Sequence, residues 1–311
     1  MPLISTQAKR LRDRVAAFRR NPVAVRLSRL WEVLTFPSTL FFLFFNPLID
    51  PAYGMTWPKK ARLAFRMLRT TRGVFTGTSY KAHLVMAVKL LQIPHHVDGV
   101  VVECGCYLGG STANLSLACE AVGRDLVVYD SFEGLPPPTE NDKYASESQT
   151  GFLRAGLEIV KDNVRRFGAI DRCSFRKGWF SETLPRHSEP IVLAFLDVDY
   201  QASLDDCIRN LWPHLTEQGY LFIDEYVLTD YCALFWSERY WRTHFDTTPP
   251  GLIGAGSGVA VGQYYLGPFE EWNWGAELPQ SPTSIAYTRK DYSGYWDFYP
   301  EDAGGQTTSG A

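Results

Sequence analysis

The sequence predicts an α/β protein built on a doubly wound, mostly parallel sheet with helices on both faces, preceded by a helical amino-terminal extension. The first observation is an alternation, from residue 99 onward, of short apolar segments with longer segments whose apolar residues recur at helical spacing. The second is that glycines or acids directly follow several of the apolar segments. Strands that alternate with helices pair in parallel, and the helices then cover both faces of the sheet.

The elements are expected in a definite order along the chain. Strand character is found in residues 99–105, 125–130, 172–178, 191–199, 219–226 and 258–266. Helical character is found in residues 80–92, 109–123, 150–168, 203–215 and 231–245. Four regions follow from this pattern: a basic and aromatic extension (1–54), a helical lid region (55–98), an α/β core (99–267) and an aromatic-rich carboxyl-terminal arm with a disordered tail (268–311).

The composition restricts the class of protein. With 311 residues, 45% of them hydrophobic, the chain can bury a large core. The formal net charge of −3 argues against a general nucleic-acid binder. None of the six cysteines forms a Cys-x-x-Cys pair, so neither a zinc site nor a disulfide framework is predicted. No secretory signal fits the amino terminus, and a reducing cytoplasm is the expected location.

The amino-terminal extension is strongly basic. Residues 1–30 carry a net charge of +7, and apolar residues before and after Pro22 recur at helical spacing. The apolar segment 33–45 that follows is shorter than the ~20 residues needed to span a bilayer. Two hypotheses stay open: these helices pack on the core or on a second subunit of a homo-oligomer, or they lie on the inner face of a membrane.

A glycine-rich turn follows the first strand, in "VVECGCYLGGS". Its Gly-x-x-x-Gly spacing, from Gly105 to Gly109, differs from the dinucleotide fingerprint and disfavours NAD or FAD. Glu103 precedes the first glycine, and Asp130 ends the next strand, where it could accept both hydroxyls of a ribose. An amino-acid moiety plus a ribose, without phosphate, describes S-adenosylmethionine. The alternative for Asp130 is a turn residue that begins "DSFEG".

Five motifs together carry a family resemblance: "VVECGCYLGGS", "YDSFEGLP", "FRKGWFSETLP", "LDVDYQAS" and "GYLFIDEY". Their order and spacing over residues 76–266 resemble the macrocin O-methyltransferase family, metal-dependent enzymes that methylate sugar or related hydroxyls. The resemblance implies the seven-stranded, Rossmann-like sheet of class I S-adenosylmethionine methyltransferases over the core.

The resemblance also implies roles for individual residues. Cofactor contacts are expected from the glycine turn, the ends of the next two strands and the segment before the helix 80–92, namely Glu103, Gly105, Gly109, Ser111, Asp130, Ser131, Trp179, Phe180, Thr78 and Ser79. Two of these assignments have structural alternatives. Trp179 and Phe180 suit core packing as well as stacking on adenine, and Ser79 suits the amino-terminal cap of the helix 80–92.

Four acids end two of the predicted strands: Asp197 and Asp199 in one, Asp224 and Glu225 in the other. If those strands are neighbours, the carboxylates converge and repel one another, and a cation is the natural compensation. Oxygen ligands without His or Cys favour Mg²⁺ first, then Ca²⁺ or Mn²⁺.

The resemblance implies a magnesium site at Asp197, Asp224 and Glu225, although the family usually has aspartate at the last position. Asp199 lies two residues beyond a ligand and is the expected general base, with His83, His214 and His244 as rivals. Two other function classes stay open: a non-catalytic binding module with a methyltransferase fold, and a metal-dependent hydrolase or phosphoryl transferase.

Overall fold

The computed structural model describes residues 39–140, 142, 150–226, 229–254 and 285–290. The helices are α1 (Trp57–Gly73), α2 (Tyr80–Gln92), α3 (Gly110–Val122), α4 (Leu157–Phe167), α5 (Phe180–Thr183), α6 (Gln201–Leu211), α7 (Thr229–Cys232) and α8 (Glu238–Phe245). The strands are β1 (Val100–Cys104), β2 (Leu126–Asp130), β3 (Cys173–Lys177), β4 (Ile191–Leu196), β5 (Leu215–Ile223), β6 (Ile253–Gly254) and β7 (Ala286–Arg289).

The strands form one seven-stranded sheet in the order β3-β2-β1-β4-β5-β7-β6. The first five strands pair in parallel, and β7 runs antiparallel to both β5 and β6. The strand order reverses at β1, because β2 lies on one side of it and β4 on the other. In open sheets of this kind, ligands bind at such a reversal, outside the carboxyl ends of the strands.

Two apolar clusters cover the two faces of the sheet. One joins the inner faces of α2, α3 and α4 to β1, β2 and β4. The other joins α6, α8 and the opposite faces of the same strands, with Trp212 and Trp241 at its centre. The central strand β4 is buried along its whole length, which explains why its sequence is continuously apolar. The predicted doubly wound α/β fold is therefore confirmed.

Several element boundaries differ from the prediction. The helix expected over 150–168 begins only at Leu157, because the chain from 150 makes a turn that pairs with the loop after β2. Gly151 donates its amide to Leu135, and Leu135 donates to Phe152. The helix expected over 231–245 breaks into shorter pieces, and Ser237 caps the last of them, α8.

The described residues include only parts of the amino-terminal and carboxyl-terminal regions for which the sequence made predictions. The strand expected over 258–266 and the amino-terminal helices before residue 39 lie outside the described residues. Residues 39–45, the end of the apolar segment, are helical. Within the predicted carboxyl-terminal arm the structure contains a strand, β7, which that prediction missed. Among the described residues, no helix is long and apolar enough to cross a membrane.

Candidate active site

Four residues stand level at the carboxyl edge of the sheet. The register aligns Cys104 of β1 with Tyr129, Leu196 and, through Leu196, Ile223. The next residue on each strand end is therefore Gly105, Asp130, Asp197 or Asp224. All four line a single cavity, so the strand register alone places the glycine turn between the two groups of acids.

Gly105 occupies a position that no other residue fits. Its φ is +82°, in the left-handed region, and a Cβ there would lie 1.9 Å from the carbonyl oxygen of Asp197. The chain after β1 thus passes directly against the chain after β4, which brings the glycine turn and the acids into contact. Gly109 also has a positive φ, but it packs on Val160 outside the residues that line the cavity.

Glu103 lies beneath the glycine turn and does not line the cavity. It is fully buried in β1, and burial raises the pKa of its carboxyl to about 7, an effect that the nearby hydroxyls of Ser111 and Thr112 partly offset. Ser111 does line the cavity, at the start of α3. Of these two predicted cofactor contacts, Ser111 lies in the cavity wall, whereas Glu103 does not face the cavity.

The Asp130 carboxylate holds the glycine turn from the side of β2. Oδ2 accepts a hydrogen bond from the Cys106 amide at 2.8 Å, and Oδ1 accepts one from the Phe132 amide at 2.6 Å. A carboxylate oxygen can accept more than one hydrogen bond, so Asp130 retains acceptor capacity toward the cavity. Both functions proposed from the sequence, a turn residue and a ribose acceptor, are compatible with this geometry.

The cavity continues from Asp130 toward an aromatic wall. Trp179 and Phe180, at the start of α5, line it together with Ser131. The Ser131 hydroxyl donates to the Gly134 carbonyl at 3.0 Å and so shapes the loop after β2. The wall also includes residues to which the sequence assigned no role. Phe75 and Leu153 lie in loops outside the five motifs, whereas Tyr107, Leu135, Pro136 and Ser203 lie within them.

The segment before α2 borders the cavity through Thr76 and Gly77 rather than through Thr78 and Ser79. Ser79 caps α2, with its hydroxyl oxygen accepting from the Ala82 amide at 3.1 Å. Thr78 is fully buried, and its hydroxyl donates to Oδ1 of Asp224 at 3.2 Å. The structure thus places Ser79 in its predicted capping role and connects Thr78 to the acid cluster.

The acids meet at the other end of the cavity. Single carboxylate oxygens of Asp197, Asp199 and Glu225 lie within 4.8 Å of one another, and Asp197, Asp199 and Asp224 line the cavity. Glu225 lies behind them, where its Oε1 accepts the Asp199 amide at 2.9 Å. That bond supports Asp199 in a left-handed conformation with φ of 57°. The Glu225 carboxyl is buried close to the Tyr231 hydroxyl, and its Oε2 makes no well-formed hydrogen bond.

The pKa values of these acids reflect enclosure and mutual repulsion. Burial, followed by the charges of Asp224, Glu225 and Asp199, raises the pKa of Asp197 well above its usual range. Burial and then the charges of Asp199 and Asp224 do the same for Glu225. Burial raises the pKa of Asp199 to about 6. The cluster therefore concentrates negative charge, and no Lys, Arg or His is among the described residues that line the cavity.

The three rival histidines lie elsewhere. His83 is fully buried against Asn114, with Nδ1 at 2.9 Å from the amide nitrogen, and burial lowers its pKa to about 3. The ring of His214 packs on His187, and that of His244 packs on Tyr240. None of the three lines the cavity.

This sheet order, with a glycine turn after β1 and acids after β2, β4 and β5, defines the S-adenosylmethionine-dependent class I methyltransferase fold. The chain belongs to the macrocin O-methyltransferase (TylF) family, whose model matches residues 59–250. The resemblance inferred from the five motifs is thereby confirmed, and the protein is an O-methyltransferase.

Individual relatives agree with this assignment. The chain is 35% identical over 195 residues to the 8-demethyl-8-(2,3-dimethoxy-alpha-L-rhamnosyl)-tetracenomycin-C 4'-O-methyltransferase of Streptomyces olivaceus, covering 59% of this chain and 70% of that one. It is 28% identical over 184 residues to the demethyldecarbamoylnovobiocin O-methyltransferase of Streptomyces niveus, covering 53% and 70%. The solved structure of the O-methyltransferase NovP superimposes with a TM-score of 0.53 at 21% identity, covering 84% of this chain and 99% of NovP, and supports the fold.

Proposed function

We propose that this enzyme transfers the methyl group of S-adenosylmethionine to a sugar hydroxyl of a glycosylated small molecule, with Mg²⁺ as a second cofactor. One observation carries the proposal: the glycine turn and the acid cluster open into the same cavity, with Gly105 in contact with the backbone of Asp197. A methyl donor held by the turn and a hydroxyl held at the acids would then lie side by side. The name of the Streptomyces olivaceus relative specifies a rhamnosyl-bearing acceptor and 4'-O-methylation.

The cavity residues fit the methyl donor. The backbone of Gly105, Cys106 and Tyr107, together with Ser111, forms a polar wall for its amino-acid part. Asp130 offers acceptor capacity to the ribose, and Trp179 and Phe180 offer aromatic surface to the adenine. The donor supplies an electrophilic methyl group, and these residues orient it toward the acids.

The acid cluster fits a hard divalent cation. Single oxygens of Asp197, Asp199 and Glu225 lie within 4.8 Å of one another, close enough for one ion, and Asp224 lines the same cavity. Oε2 of Glu225 makes no well-formed hydrogen bond, and the pKa values of Asp197 and Glu225 are raised by burial and then by neighbouring negative charge. We assign Asp197, Asp224 and Glu225 as the residues that hold the ion. A bound Mg²⁺ would lower the pKa of an acceptor hydroxyl and orient it.

Asp199 is the proposed general base. It lines the cavity within the same cluster, and a carboxylate is a suitable base for a hydroxyl whose pKa a cation lowers. As the hydroxyl oxygen forms its bond to the methyl carbon, a carboxylate oxygen of Asp199 accepts the hydroxyl proton. The electron pair of the breaking carbon–sulfur bond stays on the sulfur of the donor.

The test combines binding and turnover on the full chain. Calorimetry with S-adenosylmethionine should show binding, and a labelled-methyl assay should show transfer to rhamnosides but not to their matched aglycones. Chelation with EDTA should abolish transfer, and added Mg²⁺ should restore it. Absence of cofactor binding contradicts the enzyme assignment of this cavity, turnover that is insensitive to EDTA contradicts the metal, and transfer to aglycones contradicts the sugar acceptor.

Metal-dependent hydrolysis or phosphoryl transfer is less well supported, because it calls for a cationic side chain near the acids. A non-catalytic binding module is at odds with an O-methyltransferase family assignment. We also expect the protein to be a homo-oligomer located in the cytoplasm. Light scattering of the purified chain measures the oligomeric state.

A further inference from the structure

Exposed apolar side chains concentrate on one part of the surface. Ten large hydrophobic residues are exposed in the part of the chain that the structure describes, and half of them fall between residues 41 and 65. These five are Phe41, Phe45, Leu48, Trp57 and Phe65, with exposed fractions between 55% and 68%. None of them lines the cavity, so the methyltransferase site does not explain them.

Most of these side chains form one continuous cluster. The rings of Phe41 and Phe45 stack with centroids 4.6 Å apart, and the ring of Trp57 meets that of Phe45 edge-on at 5.1 Å. The Trp57 ring also contacts Phe44 at 5.2 Å. Phe41, Phe45 and Trp57 thus form one exposed aromatic cluster.

The charged side chains of helix α1, which begins at Trp57 of this cluster, are all positive. Helix α1 contains six basic residues and no acidic one. Arg62 and Arg69 lie three residues before and four residues after Phe65, which puts all three on the same exposed face of α1. Lys59 and Arg72 are exposed on this helix as well, while Arg66 is paired with Glu120.

We propose that this surface docks on an anionic lipid bilayer. We call it the aromatic–basic face, and it consists of Phe41, Phe45, Leu48, Trp57, Phe65, Arg62, Arg69 and Arg72. Aromatic and aliphatic side chains that project between exposed basic ones are the composition that binds at a headgroup boundary. The rings enter the acyl region, and the cations remain with the anionic headgroups.

Charge argues against the other occupants. An isologous contact between two copies of the chain would set the arginines of α1 against those of the partner. The chain's own residues 1–30 carry a charge of +7, which disfavours their binding to a basic face. That same charge would add to the attraction of an anionic membrane.

Co-sedimentation of the full chain with extruded vesicles tests the proposal. Binding should be strong with vesicles of phosphatidylcholine and phosphatidylglycerol, weak with phosphatidylcholine alone, and reduced by salt. Two double variants probe the face, Arg62→Glu with Arg69→Glu and Trp57→Ser with Phe65→Ser. Each should lower the partition coefficient by more than about tenfold.

Matched controls change the same residue types elsewhere on the surface. They are Arg186→Glu with Arg239→Glu and Ile159→Ser with Trp236→Ser, all of them exposed. Controls that bind like the unaltered chain, with all variants retaining its melting temperature, support the proposal. It is overturned if phosphatidylglycerol does not increase vesicle binding by the unaltered chain, or if the variants of the aromatic–basic face bind vesicles as well as the controls do. It is also overturned if face variants change the oligomeric state without changing vesicle binding.

Discussion

The hydroxyl of Thr78 donates a hydrogen bond to Oδ1 of Asp224 at 3.2 Å, across 146 residues of sequence. Thr78 belongs to the segment before α2, whose neighbouring residue Thr76 packs against Gly110 at the start of α3. Asp224 is the first residue after β5 and a proposed metal ligand. One partly buried hydrogen bond therefore joins the segment before α2, which borders the cavity, to the acid cluster within it.

Thr78→Val should weaken metal binding without abolishing cofactor binding. The change keeps the shape of the side chain and removes the donor that orients Asp224, and loss of such an outer partner typically costs 10- to 100-fold in metal affinity. Titration with Mn²⁺, followed by electron paramagnetic resonance, measures this directly. Thr78→Ser keeps the hydroxyl and is the control. Equal Mn²⁺ affinity in all three proteins contradicts the positioning role.

Asp199→Asn should retain S-adenosylmethionine binding and lose about 10²- to 10⁴-fold in turnover, the usual contribution of a general base. The asparagine keeps the size and polarity of the side chain but cannot accept the proton. His214→Gln and His244→Gln are controls, because neither histidine lines the cavity. Near-normal turnover in Asp199→Asn would move the base to another residue.

Glu225→Gln separates two roles of that side chain. Its amide oxygen can still accept the Asp199 amide that Glu225 binds at 2.9 Å, while the negative charge is lost. If Glu225 is a metal ligand, Mn²⁺ affinity falls by at least about tenfold, and Glu225→Asp recovers part of it. Unchanged affinity in Glu225→Gln would leave Glu225 with only the support of the Asp199 backbone.

The chelated enzyme should lose stability as pH rises. Asp199 has a pKa near 3.8 when unfolded and about 6 when folded, so the folded state binds more protons between those values. Stability falls across that window by on the order of 2–3 kcal/mol at most and stays low above it. The melting temperature of Asp199→Asn minus that of the unaltered enzyme should therefore increase from pH 4 to above pH 6. Bound Mg²⁺ should remove this difference in melting temperature at neutral pH. A difference that stays the same at every pH would contradict the raised pKa of Asp199.

Gly105→Ala should damage the fold and the site together. A Cβ at Gly105 would collide with the Asp197 carbonyl oxygen, and the positive φ adds strain on the order of 1 kcal/mol or more. Both cofactor binding and Mn²⁺ binding should weaken, since the collision separates the turn from the acids. Gly156→Ala, which meets nothing within 4 Å, is the control and should cost less than about 1 kcal/mol. Normal binding of both ligands in Gly105→Ala would show that the segments after β1 and β4 can move apart without damage to either site.

Local patterns determined most helices and strands of the core, although they missed the strand β7, the late start of α4 and the break before α8. Helix α2 has the predicted bounds, because its first residue follows a serine cap and Pro94 lies two residues beyond its end. The glycine turn and the acids after β4 and β5 also follow from sequence, since a polar residue directly after a buried strand must lie at the edge of the sheet. Five such motifs in order were enough to identify the family.

Tertiary structure decided what those residues touch. Pairing of β1 with β4, and of β4 with β5, sets Gly105, Asp197 and Asp224 side by side, and no local pattern encodes that register. The same holds for Thr78 on Asp224 and for Glu225 behind Asp199. The physical reason is that hydrophobic periodicity indicates only which face of a segment is buried, not which other segment covers that face. Hydrogen bonds between residues far apart in sequence depend on strand order and on how the loops between the strands close.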